Sequence, residues 1–275
     1  MNPTTADVGK QKTNTATKDS DRILYRIGQL APWRMSVQIT DSITTGDHLT
    51  LDAGPNTACR KSRADARKQY HRLLKNLYPD GLKSKRVLDC GCGAGGYCFW
   101  SRELKSELAF GFDVREHWIK QARFLKFNRK VGINDRLQFK ILNLYDLTNE
   151  KLFPFDLVLF RGLFFHLPDP INGLKIAADH SRDVLVFSSA MIWGEADGAL
   201  KALQSNKPQL HGGTSGLNWY PTGPKVCADI IRGLGFEDLV LTKHKQVDAR
   251  PDRGRIEIIA SREPGRLKSL AGDRL

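Results

Sequence analysis

The sequence predicts an α/β fold: a mostly parallel sheet flanked by helices. Three observations predict it. From Lys85 onward, short apolar runs alternate with helical segments, the pattern of βαβ units. One strand-to-helix junction, "RVLDCGCGAGGYCFW" (residues 86–100), carries four glycines within six positions, Gly91, Gly93, Gly95 and Gly96. Only the last two apolar runs, "EDLVLTKH" and "RIEIIASR", have no helix between them, so they read as an antiparallel pair closing the sheet.

The elements follow in order. Residues 1–21 are rich in Thr, Asn, Lys and Asp and read as a disordered tail. Residues 22–80 read as an N-terminal helical cap extension. Within it, Ala66, Tyr70, Leu73, Leu74 and Leu77 recur at helical spacing. Seven basic residues lie between Arg60 and Lys75, against one acid, Asp65. That face suits phosphate, nucleic acid or an anionic substrate, or is simply solvated. Residues 81–262 read as the main domain, with strands at Arg86–Cys90, Leu108–Phe112, Leu137–Leu142, Leu157–Phe160 and Val184–Phe187. With the closing pair this makes seven. A helix over "EHWIKQARFLKFNRKVG" is capped by Gly132, and Pro224 opens another. Residues 188–221 are long and glycine-bearing, as a lid-like insertion with hinges at Gly212, Gly213 and Gly216 would be. Residues 263–275 read as a second tail, and the polar stretch "KQVDARPDRG" as the loop between the last two strands.

Composition narrows the function classes. The formal charge is +13 with a pI near 9.6. No run approaches the roughly 18–20 apolar residues of a membrane span. The N-terminus has no apolar secretory core. The five cysteines (Cys59, Cys90, Cys92, Cys98, Cys227) have no CxxC spacing, which predicts reduced thiols, a cytoplasmic setting and no metal site.

The glycine loop by itself admits more than one ligand. Gly91, Gly93 and Gly96 also satisfy the dinucleotide pattern GxGxxG. Asp89, two residues before the first glycine, argues against a pyrophosphate and for a cationic ligand end. In these residues the chain resembles the class I S-adenosylmethionine-dependent methyltransferases, whose fold is Rossmann-like. "VLDCGCGAGG" is similar to their first motif, "FGFDV" to the second and "ILNLYDL" to the third. The resemblance implies S-adenosylmethionine as cofactor, with S-adenosylhomocysteine as product. It implies binding by Asp89, Gly91, Cys92, Gly93, Gly95, Asp113, Val114, Asn143, Leu144 and Arg161, with Asp113 accepting from the ribose hydroxyls. Asn143 stands where the family often has Asp.

A narrower resemblance lies in "FDLVLFRGLFFHLPDPINGL", "APWRMSVQITDSITTGDHL" and "GLNWYPTGPKVCADIIRGLGF". These are similar to segments of the tRNA uridine-34 5-oxyacetate methyltransferase-like subgroup, over roughly residues 28–262. Phe165 replaces that subgroup's Tyr, and the N-terminal region is shorter. The expected activity is therefore in-line O-methylation of a small molecule, sugar or lipid. The alternatives are an RNA-modifying methyltransferase and a cofactor-binding protein without catalysis. His166 is the candidate base for a hydroxyl acceptor, with Asp169 and His211 behind it. Arg161 is expected to hold an anionic group. Trp33, Phe165, Trp193, Asn218, Trp219 and Tyr220 are the expected acceptor-pocket residues.

Overall fold

The computed structural model describes residues 19–34, 36–46, 57–129, 136–204, 216–248 and 250–275, with side chains between 57 and 64 set aside. Gly132, His211, Gly212 and Gly213 lie outside the described residues, as does most of the N-terminal tail. The helices are α1 (19–29), α2 (Thr57–Leu77), α3 (Gly96–Glu103), α4 (Glu116–Asn128), α5 (Pro170–Asp179) and α6 (Pro224–Gly233). The strands are β1 (Arg86–Cys90), β2 (Leu108–Asp113), β3 (Leu137–Ile141), β4 (Phe155–Arg161) and β5 (Ser181–Ile192). After them come β6 (Leu200–Gln204), β7 (Leu217–Pro221), β8 (Asp238–Val247), β9 (Arg250–Ser261) and β10 (Asp273–Arg274).

The main sheet runs β10-β8-β9-β5-β4-β1-β2-β3, and β6 with β7 forms a separate antiparallel hairpin. The five strands from β1 to β5 are parallel, as expected, while β8, β9 and β10 join antiparallel. Side chains alternate across β1, so its two faces feed different layers. Leu88 and Cys90 pack with α5 and α6, through Leu174, Ala177, Ala228 and Ile231. Val87 packs on the opposite layer with Tyr70, Leu74 and Leu77 of α2. The basic helix is thus one of the sheet's flanking helices, rather than a cap. Its apolar stripe is consumed by the sheet, which leaves Lys68, Arg72 and Lys75 exposed.

Three expectations are corrected by packing. Residues 263–275 are not a tail: Leu267 and Leu270 are buried, and β10 pairs with β8. Arg266 pins the segment, reaching Asp183 at 2.9 Å and donating to the Leu77 carbonyl at 2.8 Å. The stretch 245–254 is mostly strand, because β9 finds a partner in β5 as far up as Ile192, opposite Arg253. And the insertion after β5 is built around a hairpin instead of an open loop.

The carboxyl ends of β1, β2 and β4 thereby meet at one edge. Beside them β5 overshoots: Arg161 pairs with Ser188, and β5 continues four residues to Ile192. At about 3.3 Å per residue this raises a wall roughly 13 Å high.

Candidate functional site

The glycine turn leaves β1 with Gly91, Gly93 and Gly95 all at positive φ (68°, 55° and 81°), a path that glycine follows at no steric cost. Two of these glycines differ in what surrounds them. A Cβ on Gly95 would stand 2.5 Å from the Phe139 ring, so that position is packed against β3. A Cβ on Gly93 would meet nothing within 4 Å, so the turn opens there onto a free cradle. Its shape is held by β2: the Cys92 amide donates to the Phe112 carbonyl at 2.9 Å. Asp113 does the rest, its Oδ2 accepting from the Gly93 amide at 3.1 Å and its Oδ1 from the Arg115 amide at 2.9 Å. Each of those oxygens keeps a second lone pair for another donor. Burial pushes the Asp113 carboxyl up, opposed by those two amides.

Asp89 is buried beneath the turn, and burial pushes its carboxyl up to about 7; Arg161 works against this rise, Asp113 with it. A carboxyl in that state welcomes a cation, which would restore its ionised form. Cys98 donates weakly to it at 3.9 Å. Cys90, Cys92, Cys98 and Cys227 are free thiols among the described residues, and burial raises the pKa of each. They act as packing groups: Cys92 and Cys98 crowd Gly111, where a Cβ would come within 2.9 Å of both side chains.

Arg161, at the end of β4, is engaged within the fold. Its guanidinium meets Glu257 of β9 at 2.7 Å and lies 4.9 Å over the Tyr97 ring. Burial pulls its pKa down, but Glu257 and Tyr97 outweigh that and hold it charged. Glu257 is correspondingly low: burial raises it, while Arg161 and Lys243 more than compensate. Thr242 adds a hydroxyl hydrogen bond to Glu257 at 2.9 Å. The charge of Arg161 is therefore already met inside the protein by Glu257. Sequence reasoning missed Glu257 because only the β5–β9 register brings it opposite Ser188.

Past Arg161 the chain turns through Gly162 into a short 3-10 turn, Phe164–His166, and Leu163 leans over Gly91. Phe164 is fully buried, whereas Phe165 and His166 are half-buried at the edge, with ring centroids 3.9 Å apart. Tyr220 of β7 stacks on Phe165 at 5.4 Å, and the Trp219 indole donates to the Pro168 carbonyl at 3.1 Å. The β6–β7 hairpin is thus fastened over the end of β4. Asn218 stands two residues before Tyr220, on the same side of β7. Trp193 lies farther along the wall, 4.9 Å from the His244 ring. Trp33 offers no exposed surface to an acceptor. It is fully buried, packed near Phe124, with its indole donating to the Ile27 carbonyl. Asp169 caps α5 by accepting from the Asn172 amide, a structural use. On the β2–β3 side, Val114, Ile141 and Asn143 are exposed, while Leu144 is buried in the core.

A parallel sheet in 3-2-1-4-5 order, with a glycine turn after β1 and an acid closing β2, defines a nucleoside-binding α/β class. The family model described as "Methyltransferase domain" matches residues 82–222, and the chain belongs to that family, whose donor is S-adenosylmethionine. Among curated proteins it is 27% identical over 174 residues to the tRNA U34 carboxymethyltransferase of Tolumonas auensis, covering 62% of this chain and 49% of that one. It is 34% identical over 94 residues to the Campylobacter fetus protein of the same name, covering 34% and 32%. The chain thus spans half or less of the length of these relatives. Among solved structures, the N-terminal domain of EvdMO1 with SAH bound superposes with a TM-score of 0.70 at 19% identity, over 88% of this chain and 96% of that one. That likeness concerns the fold.

Proposed function

We propose that the protein transfers a methyl group from S-adenosylmethionine to RNA, with a tRNA nucleotide as acceptor. The observation that carries this is the basic face of α2, a helix whose opposite, apolar face packs toward the site. Tyr70 of α2 packs at 4.9 Å on Tyr97, the same ring that lies under Arg161. Lys68, Arg72 and Lys75 are exposed on that helix, and such a track suits a phosphate backbone. The names of the curated relatives point the same way. The small-molecule acceptor keeps one observation in its favour, the hairpin fastened over the end of β4.

The open cradle at Gly93 and the acid beside it fit the cofactor. In this proposal Asp89 faces the ammonium of its amino-acid end, and the backbone of residues 91–95 follows that portion. Asp113 accepts from the ribose hydroxyls, while Val114, Asn143 and the backbone at Leu144 border the adenine. The bound cofactor supplies an electrophilic methyl on a sulfonium. The chain's part is alignment of an acceptor in line with that methyl. For a hydroxyl acceptor, His166 takes the proton at the end of β4, held in place by Phe165 and the 3-10 turn.

Incubation with methyl-labelled S-adenosylmethionine and tRNA lacking U34 modification tests this. Label in a tRNA nucleoside, with RNA affinity falling steeply between 50 and 200 mM salt, is the expected result. Label confined to saccharides or other small acceptors overturns it. Tight cofactor binding with no transfer to any acceptor would indicate a non-catalytic protein.

A further inference from the structure

We infer that Arg253 binds a phosphodiester of the acceptor RNA at the lip of the site; this rests on the RNA function proposed above. Arg253 pairs with Ile192 at the top of the β5–β9 wall, four residues along from Glu257, which is level with Arg161. Its guanidinium lies 4.5 Å over the Tyr220 ring, Tyr220 stacks on Phe165, and Phe165 abuts His166. A chain of planar groups therefore leads from the proposed base to a cation. The rings are engaged with one another, so the stack is a support and the guanidinium is what it presents.

The state of that cation points to a ligand. Its side chain is 24% exposed, and its Nε lies 3.3 Å from Asp252, itself 69% exposed and so a weakly held partner. Among the described residues, no hydrogen bond uses its two terminal nitrogens. This contrasts with Arg161, whose charge is met by a half-buried carboxylate. A planar fork, held by stacking and open at its outer edge, matches the paired oxygens of a phosphate. A second observation concerns the neighbouring strand. Asn218, on the same side of β7 as Tyr220, has a buried Oδ1 with no partner among the described residues. Buried acceptors are rarely left so. A nucleotide phosphate offers an anion to that open edge of Arg253.

The test measures binding of an anticodon stem–loop RNA to the full chain with S-adenosylhomocysteine present, across 50–200 mM salt. Arg253→Ala is expected to raise Kd about tenfold and to lower the salt slope by about 0.7–0.9, the loss of one phosphate contact. Arg253→Lys is expected to regain the slope and only part of the affinity, because an ammonium keeps the charge without the fork. Affinity for S-adenosylhomocysteine should not change, which shows that the variants are folded. If the wild type binds RNA and Arg253→Ala matches it in Kd and slope, the inference fails and the RNA function stands. If the wild type binds no RNA, both fall together.

Discussion

Asp89 is the side chain through which the proposed site should respond to pH. Its carboxyl is raised from the usual range to about 7, chiefly by burial. A raised carboxyl binds its proton in the folded state when the unfolded chain has lost it. This group therefore costs stability progressively as pH rises from about 4 to about 7, and nothing below that window. A cation beside it reverses the preference. Affinity for S-adenosylhomocysteine should accordingly rise with pH between about 5.5 and 7.5, as Asp89 ionises to meet the ammonium. In Asp89→Asn that rise should vanish, affinity should drop, and the ligand-free protein should gain stability at pH 8. Calorimetric titration and urea unfolding check all three. Unchanged pH dependence in the variant would remove Asp89 from the ammonium. Arg161 makes the opposite case, a charge satisfied within the protein. Truncating it to Ala leaves Glu257 buried without its main partner and should cost about 3–5 kcal/mol in urea unfolding. The double change Arg161→Leu with Glu257→Leu should recover most of that loss, since an apolar pair of similar size avoids the desolvation penalty. Equal destabilisation in the double variant would show that the pair does more than neutralise itself.

Among the elements, the last thirteen residues are the most instructive. "EPGRLKSLAGDRL" carries glycines, charges and only three leucines, which is tail-like composition. Yet Leu267 and Leu270 enter the layer formed by α2 and the sheet, and the Asp238 carboxylate accepts from the Leu267 amide at 2.7 Å. Deleting residues 264–275 should cost roughly 3–6 kcal/mol from those two side chains alone. Thermal unfolding would show it, and an unchanged Tm would mean the segment is dispensable. The β6–β7 hairpin was similarly hidden. Its strand β7 is announced by "NWYP", but β6 is "LKALQ", a run without a clear period. Its pairing is set by the Trp219 and Tyr220 contacts to the end of β4, which are distant in sequence.

At the scale of the whole molecule, the positive charge is unevenly used. Arg86, Arg161, Arg182, Arg262 and Arg266 are engaged in ion pairs, carbonyl contacts or ring faces within the fold. Lys68, Arg72 and Lys75 on α2 remain turned to solvent. Net charge alone therefore said little about a partner; the gathering of charge on one exposed face of α2 says more. The N-terminal region divides in the same way. Residues 19–46 dock on α4, where Gln121 donates to the Leu30 and Pro32 carbonyls, while α2 crosses to the sheet. Reading 22–80 as one cap missed this, because both parts are amphipathic and amphipathicity does not name the surface it will meet.

What the sequence determined by itself is everything with a local cause. Period-two and helical repeats set the strands and helices, a run of glycines set the turn after β1, and the sequence places acids near the ends of β1 and β2. Those signals span a few residues, so they survive without knowledge of the fold. Only the tertiary structure decided that Glu257 occupies Arg161, that Trp33 is buried, that the C-terminus pairs with β8, and that Arg253 crowns the wall above His166. Three of these depend on register between strands far apart in the chain, and the burial of Trp33 on the docking of the N-terminal segment against α4. The physical reason is common to all four: a side chain's partner is chosen by packing and desolvation between elements brought together by the fold. The residues beside it in sequence carry no record of that choice.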